Sequence, residues 1–140
     1  MAGTAMRDLE NGLNEAVRVL NPFKDSLPVW LGLGEEGLRR KVFRVIDSET
    51  VGSAHLRAGL TIFEPGEQCA AHNHPDSEEF NIALKGSGLA IDQTAGTETR
   101  FAENDWIFIP KGHIHVHRND GNEPLWLLWC YAPPGDLPTR

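Results

Sequence analysis

From residue 38 onward the chain is cut into short apolar runs by clusters of turn-forming residues: Pro65-Gly66, Lys85-Gly86-Ser87-Gly88, Ala95-Gly96, Glu103-Asn104-Asp105 and Asp120-Gly121-Asn122. Glycine supplies positive backbone φ, and Asn and Asp close turns through their own side chains, so these clusters end elements. The runs between them read as strands near 38–46, 54–64, 68–74, 78–84, 88–93, 98–101, 106–110, 113–119 and 124–132. Strands repeating at about 8–12 residues, with no helices between them, predict an all-β antiparallel sandwich or barrel.

The first third of the chain has a different texture. Leu9, Leu13, Ala16, Val17 and Leu20 recur at three- and four-residue spacing, which predicts a short amphipathic helix over 8–20. Asn21-Pro22 ends it, because the residue before proline avoids the helical region. A loop-rich stretch with Pro28, Gly32, Gly34 and Gly37 follows. Gly32 to Gly37 fits the Gly-x-Gly-x-x-Gly string of dinucleotide sites, but that string needs a strand before it and a helix after it. Leu38 to Ile46 reads as strand, and Glu35 and Glu36 would repel a pyrophosphate, so a loop is the better reading.

At 140 residues the chain can bury a core without disulfides or structural metals. Its net charge of −7 argues against nucleic acid or an anionic membrane as partner, since both attract basic surfaces. Cys69 and Cys130 are too few for a disulfide framework and fit a reducing compartment. No apolar run near the start resembles a signal peptide, so a cytoplasmic location is expected.

The histidines are clustered. His72 and His74 form a pair, His113, His115 and His117 form a run, and His55 stands apart. Alternate side chains of a strand share a face, so His72 and His74 would offer two imidazoles to one ion. Glu79 follows after a turn at Pro75-Asp76, and His115 would come from a separate strand entered through Pro110-Lys111-Gly112. Imidazole and carboxylate suit Fe(II), Mn(II), Co(II), Ni(II) or Zn(II), and the sequence does not select among them.

Order and spacing together make the chain resemble the cupin superfamily, as a small monocupin. Its first motif runs from Gly66 through five residues to His72-Asn73-His74, then four residues to Glu79 and six to Gly86. Its second runs from Asn104 through five residues to Pro110-Lys111-Gly112, then two to His115 and three to Asn119. Asn104 replaces the glycine that opens the second motif, a mild departure because Asn tolerates the left-handed conformation. The resemblance implies an antiparallel double-stranded β-helix, a jelly-roll-like barrel spanning 38–140, preceded by a helix-and-loop arm over 1–37. It also implies one divalent metal ion held by His72, His74, Glu79 and His115. Glu78 is the rival to Glu79, but only Glu79 leaves six residues before Gly86.

The activity implied is that of a metal-dependent enzyme acting on a small oxygenated molecule. A dioxygenase or related oxidoreductase using Fe(II) is expected first; a redox-neutral isomerase, cyclase or lyase is the alternative, and a non-catalytic binding module the second. His117 shares a strand face with His115 and is the candidate general acid or base, its other possible role being to orient a ligand. Alternation also turns Gln68 and Ala70 toward the face of His72 and His74, and Asn81 toward that of Glu79. The aromatics Trp106, Phe108, Trp126, Trp129 and Tyr131 are candidates for core, interface or pocket lining. The apolar residues of the arm, Phe23 and Trp30 among them, predict packing on a second copy in a homodimer.

Overall fold

The computed structural model describes residues 16–135. They form nine antiparallel strands: β1 (Leu27–Leu31), β2 (Arg40–Ile46), β3 (Arg57–Phe63), β4 (Glu78–Lys85), β5 (Gly88–Asp92), β6 (Thr97–Phe101), β7 (Trp106–Ile109), β8 (His115–Arg118) and β9 (Leu125–Ala132). One sheet has the order β1-β2-β3-β9-β4-β7 and the other β6-β5-β8. No described helix is long and apolar enough to cross a membrane. Of the helix expected over 8–20, residues 8–15 lie outside the described residues, and residues 16–20 form no helix.

Alternation along the strands sorts the side chains between the barrel interior and its outer face. On β9, Leu125, Leu127, Trp129 and Tyr131 are buried; on β4, Glu79, Asn81 and Ala83 are. The deep end of the interior is apolar, where Phe63, Cys69, Ala83, Phe101, Val116, Leu125 and Leu127 pack together. Burying each large aliphatic or aromatic side chain of this set contributes about 1.5–3 kcal/mol. A second cluster of Val42, Trp129 and Tyr131 packs with Val29 and Leu31 of β1.

Strand β1 lies in the stretch that reads as loop. Its Leu27-Pro28-Val29-Trp30-Leu31 alternates between half-buried and exposed and pairs with β2 at the edge of the sheet. Edge position is where a strand tolerates proline, since one row of backbone groups has no partner strand there.

The strand expected over 68–74 is the main correction. Only isolated bridges form there, Gln68 with Arg118 and His72 with His115. The irregular backbone breaks the expected alternation at its start, while Ala70 stays buried and His72 and His74 still line the interior. Cys69 lines the interior, whereas Gln68 turns to accept a hydrogen bond from Arg118 Nε at 2.9 Å.

The two motifs are tied to each other at both ends. Gly66 N–H donates to Asn119 O at 2.9 Å, and Asn119 N–H donates to Glu67 O at 2.9 Å. Asn119 is fully buried, and its side chain bonds Phe63 O, Glu123 O and Gly121 N–H. At the opposite end, Gly112 N–H donates to His74 O at 3.1 Å and Asn73 Nδ2 donates to Gly112 O at 3.2 Å. Asn104 has φ 74° and is the one non-glycine residue with positive φ among those described, so it makes the left-handed turn in the glycine's place.

Candidate metal centre

His72, His74 and His115 each offer a ligand atom, and these atoms lie within 4.8 Å of one another. The bridge between His72 and His115 sets two of the rings side by side: His115 N–H donates to His72 O at 2.9 Å, with the reciprocal bond at 3.3 Å. Glu79 reaches the same point from β4, its Oε1 3.2 Å from His74 Nε2 and 3.5 Å from His115 Nε2. Glu78, the rival carboxylate, is exposed on the outer face of β4.

Hydrogen bonds behind the rings fix which nitrogen faces inward. His72 Nδ1 lies 2.8 Å from Ala70 O and His115 Nδ1 lies 2.9 Å from His113 O. A carbonyl only accepts, so both Nδ1 atoms carry protons and the neutral rings present Nε2 lone pairs to the interior. Glu79 Oε1 and His115 Nε2 are buried with no hydrogen-bond partner. Two lone pairs facing each other at this distance call for positive charge between them. Burial would raise the Glu79 carboxyl, but the close approach of His115 and His74 outweighs it and holds the group well below the usual carboxylate range. Burial lowers the proton affinity of His115, yet Glu79 more than offsets this and raises it. His72, half-buried and beside His115, is pushed down to about 4 by its partial loss of solvent and by the neighbouring imidazole. The arrangement suits a divalent cation of the kind that imidazole and carboxylate bind.

The remaining candidates separate into supports and bystanders. Asn81 is fully buried; its Nδ2 donates to Glu79 Oε2 at 2.7 Å. Its Oδ1 therefore accepts from His117 Nε2 at 2.9 Å. His117 is thus linked to Glu79 through Asn81, and burial pushes its pKa down to about 3, so the ring is neutral. Its backbone N–H donates to Cys69 Sγ at 3.2 Å, and burial raises the Cys69 pKa, keeping it a thiol. His113 pairs with Asp92 at 2.8 Å near the surface, and His55 is exposed. Of the aromatic candidates, Trp129 and Tyr131 face the interior, where His74, Tyr131 and Trp129 stack in a column with centroid spacings of 4.3 and 5.6 Å. Trp106 and Phe108 are exposed, and Trp126 sits outside under Lys85.

The cluster itself borders a cavity of about 50 Å³, lined by His72, His74 and Glu79 and also by Arg40, Trp129 and Tyr131. Arg40 is the site residue that reading by motif misses. Its available signal is the alternation of Arg40, Val42 and Arg44, which sets Arg40 on the face of a residue that must be in the core.

The sequence profile of the cupin domain matches residues 59–131, just over half of the chain. The chain belongs to the cupin family. Its relatives include the polyketide synthase protein CurC of Streptomyces cyaneus, 33% identical over 90 residues, which are 64% of this chain and 57% of that one. The tetracenomycin polyketide synthase protein TcmJ of Streptomyces glaucescens is 26% identical over 67% of this chain and 62% of its own. A gentisate 1,2-dioxygenase of Ralstonia is 32% identical over 54% of this chain but only 21% of the dioxygenase. The chain therefore spans less than two thirds of each of these relatives. Among solved structures, the polyketide cyclase RemF of Streptomyces resistomycificus superposes with a TM-score of 0.67 at 18% identity, over 85% of this chain and 83% of that one. A likeness at that identity shows the shared fold.

Proposed function

We propose that this protein is a metal-dependent enzyme acting on a small oxygenated molecule, with one divalent ion held by His72, His74, Glu79 and His115. The observation that carries the reading is the pair of buried, unpartnered atoms, Glu79 Oε1 and His115 Nε2, facing each other in a cluster of imidazoles. A bound ion would supply Lewis-acid polarisation of a substrate oxygen and, were it Fe(II), a route to dioxygen chemistry. The chain's own residues do the rest. Asn81 and His117 hold the Glu79 carboxylate through one oxygen and leave the other for the ion, the kind of outer support that sets ligand orientation. His117 is a positioning residue in this scheme.

A dioxygenase is the first choice, with Fe(II) as its ion. Isomerisation or cyclisation by proton transfer works best with a protein base that titrates near neutral pH. His117 lines the cavity, but its Nε2 is committed to Asn81 and its pKa is far below neutral; Cys69 is kept protonated. The likeness to the gentisate dioxygenase favours oxygen chemistry, while the polyketide-associated relatives favour a cyclase as the second reading.

Elemental analysis of protein purified without added metal, followed by oxygen-electrode assays after iron is restored, separates these. Iron near one per chain, with oxygen uptake dependent on an added enol or diketone, is the expected outcome. Metal at one per chain with no uptake across such a panel would move the assignment to the cyclase or isomerase. Absence of bound metal would end the enzyme reading and leave a small-molecule-binding module.

A further inference from the structure

Two of the three imidazoles in the cluster are aimed by a carbonyl, Ala70 O behind His72 Nδ1 and His113 O behind His115 Nδ1. His74 is held differently. Its own carbonyl accepts from Ser77 N–H at 3.3 Å and from Gly112 N–H at 3.1 Å, which pins the main chain at this point. Among the described residues, however, its Nδ1 makes no hydrogen bond. The torsion that turns an imidazole about its Cβ–Cγ bond is broad, so something other than the backbone must set the plane of this ring.

What stands against it is Tyr131. The two ring centroids are 4.3 Å apart and their planes differ by 20°, and Tyr131 is itself backed by Trp129 at 5.6 Å and 21°. Stacked aromatic rings attract each other beyond the area they bury. The column is built into the sheet. Tyr131 and Trp129 are alternate residues on the inner face of β9 and are only 2% and 6% exposed. In the ladder Tyr131 lies opposite Glu79 on β4, so it sits beside the carboxylate while it covers the imidazole. Trp129 lies opposite Gly59 on β3, where a Cβ would come within 2.5 Å of the indole ring. The absent side chain leaves room for the indole, and the indole supports the phenol ring from behind.

Resting on the metal reading above, we propose that Tyr131 is a positioning residue, which does for His74 what a carbonyl does for the other two rings. It holds the imidazole plane so that Nε2 faces Glu79 Oε1, 3.2 Å away, before any ion is bound. The two devices differ in one respect. A carbonyl behind Nδ1 fixes both the ring and its proton, whereas a ring face fixes the plane and leaves the tautomer free. A ligand already held in its binding orientation loses less freedom on coordination, so the stack adds to metal affinity. It needs the ring of Tyr131 and not the hydroxyl.

The test measures zinc affinity, by competition with a chelating dye, in the unsubstituted protein, Tyr131→Phe and Tyr131→Leu. Tyr131→Phe keeps the stack and should bind zinc as tightly as the unsubstituted protein. Tyr131→Leu should bind it about 10–100-fold more weakly, the usual cost of losing a group that orients a metal ligand. A second readout needs no metal. In metal-free protein the carbon-bound ring protons of His74, assigned by their absence in His74→Ala, should lie upfield of those of the exposed His55, because they sit over the Tyr131 ring. That ring-current shift should persist in Tyr131→Phe and vanish in Tyr131→Leu. If Tyr131→Leu does not fold, the shift in the unsubstituted protein and in Tyr131→Phe decides. Unchanged zinc affinity in Tyr131→Leu, an equal loss in Tyr131→Phe, or no upfield shift without metal would each overturn the proposal. With zinc at one per chain in the unsubstituted protein, such a failure leaves the metal centre standing. If the unsubstituted protein binds no zinc, the metal reading itself fails and the proposal falls with it.

Discussion

At the scale of single residues, the site depends on what each side chain has behind it. The imidazoles of His72 and His115 are aimed by carbonyls two residues away, and Glu79 by Asn81. His113 differs from His115 by two positions, yet it points to Asp92 near the surface instead of into the cluster. We therefore expect His115→Ala to lose most bound metal and all metal-dependent activity, while His113→Ala keeps both. Elemental analysis of the two variants checks this, and full occupancy in His115→Ala would remove that residue from the ligand set. The four proposed ligands were legible as residue types at fixed spacings. Arg40 was legible only through alternation with Val42, and Trp129 only as one of five candidate aromatics, because neither carries a spacing that distinguishes cavity lining from plain core.

At the scale of elements, the turns are as informative as the strands. The β2–β3 connection is organised around Asp47, whose side chain is 1% exposed. One of its oxygens accepts from Glu49 N–H and Thr50 N–H, and the other accepts from Arg44 Nε at 2.9 Å. Burial alone would raise its pKa, but the bonds from Arg44 and the turn outweigh this, and the net shift is downward. A carboxyl whose folded pKa is depressed adds stability above its unfolded pKa and loses it as pH falls through the folded value. Asp47→Asn should therefore destabilise the protein at pH 7 by about 3 kcal/mol, as expected for breaking one side of a buried ion pair. The gap from the unsubstituted protein should begin to narrow below about pH 4, where the aspartate protonates first in the unfolded chain and, at lower pH, in the folded one. Urea midpoints at pH 7 and pH 3 read this, and an equal gap at both values would show that the charge of Asp47 does not matter. Strand 68–74 was misread at this scale. Its composition suits a strand, but its partners allow only isolated bridges at Gln68 and His72.

For the whole molecule, association is the open quantity. Phe23 of the arm packs on Phe43 and Trp126 of its own sheet, with centroids 5.2 and 5.4 Å away. Other apolar groups are left in the open: Val17 and Val19 are 98% and 95% exposed, and Trp106 and Phe108 are 72% and 62% exposed. Trp106 stacks on Phe80, and Phe108 pairs with Phe80 across β4 and β7, an exposed aromatic patch of the kind characteristic of protein contacts, and we expect a homodimer. Sedimentation equilibrium at micromolar concentration should give twice the chain mass. A monomer there, with the arm open to protease, would refute it.

By itself, the sequence determined the all-β class, the two motifs and the types and spacings of the four proposed ligands. These are local properties: turn residues, strand periodicity and short-range order survive in a one-dimensional reading. The tertiary structure decided that β1 joins the sheet, that the backbone carrying His72 and His74 is irregular, and that His117 supports Glu79 through Asn81. It also decided that Arg40 and Trp129, 89 positions apart, share one cavity. Each of these depends on which strands lie side by side and in what register. Register is set by the summed burial of the whole barrel, not by the residues that it brings together.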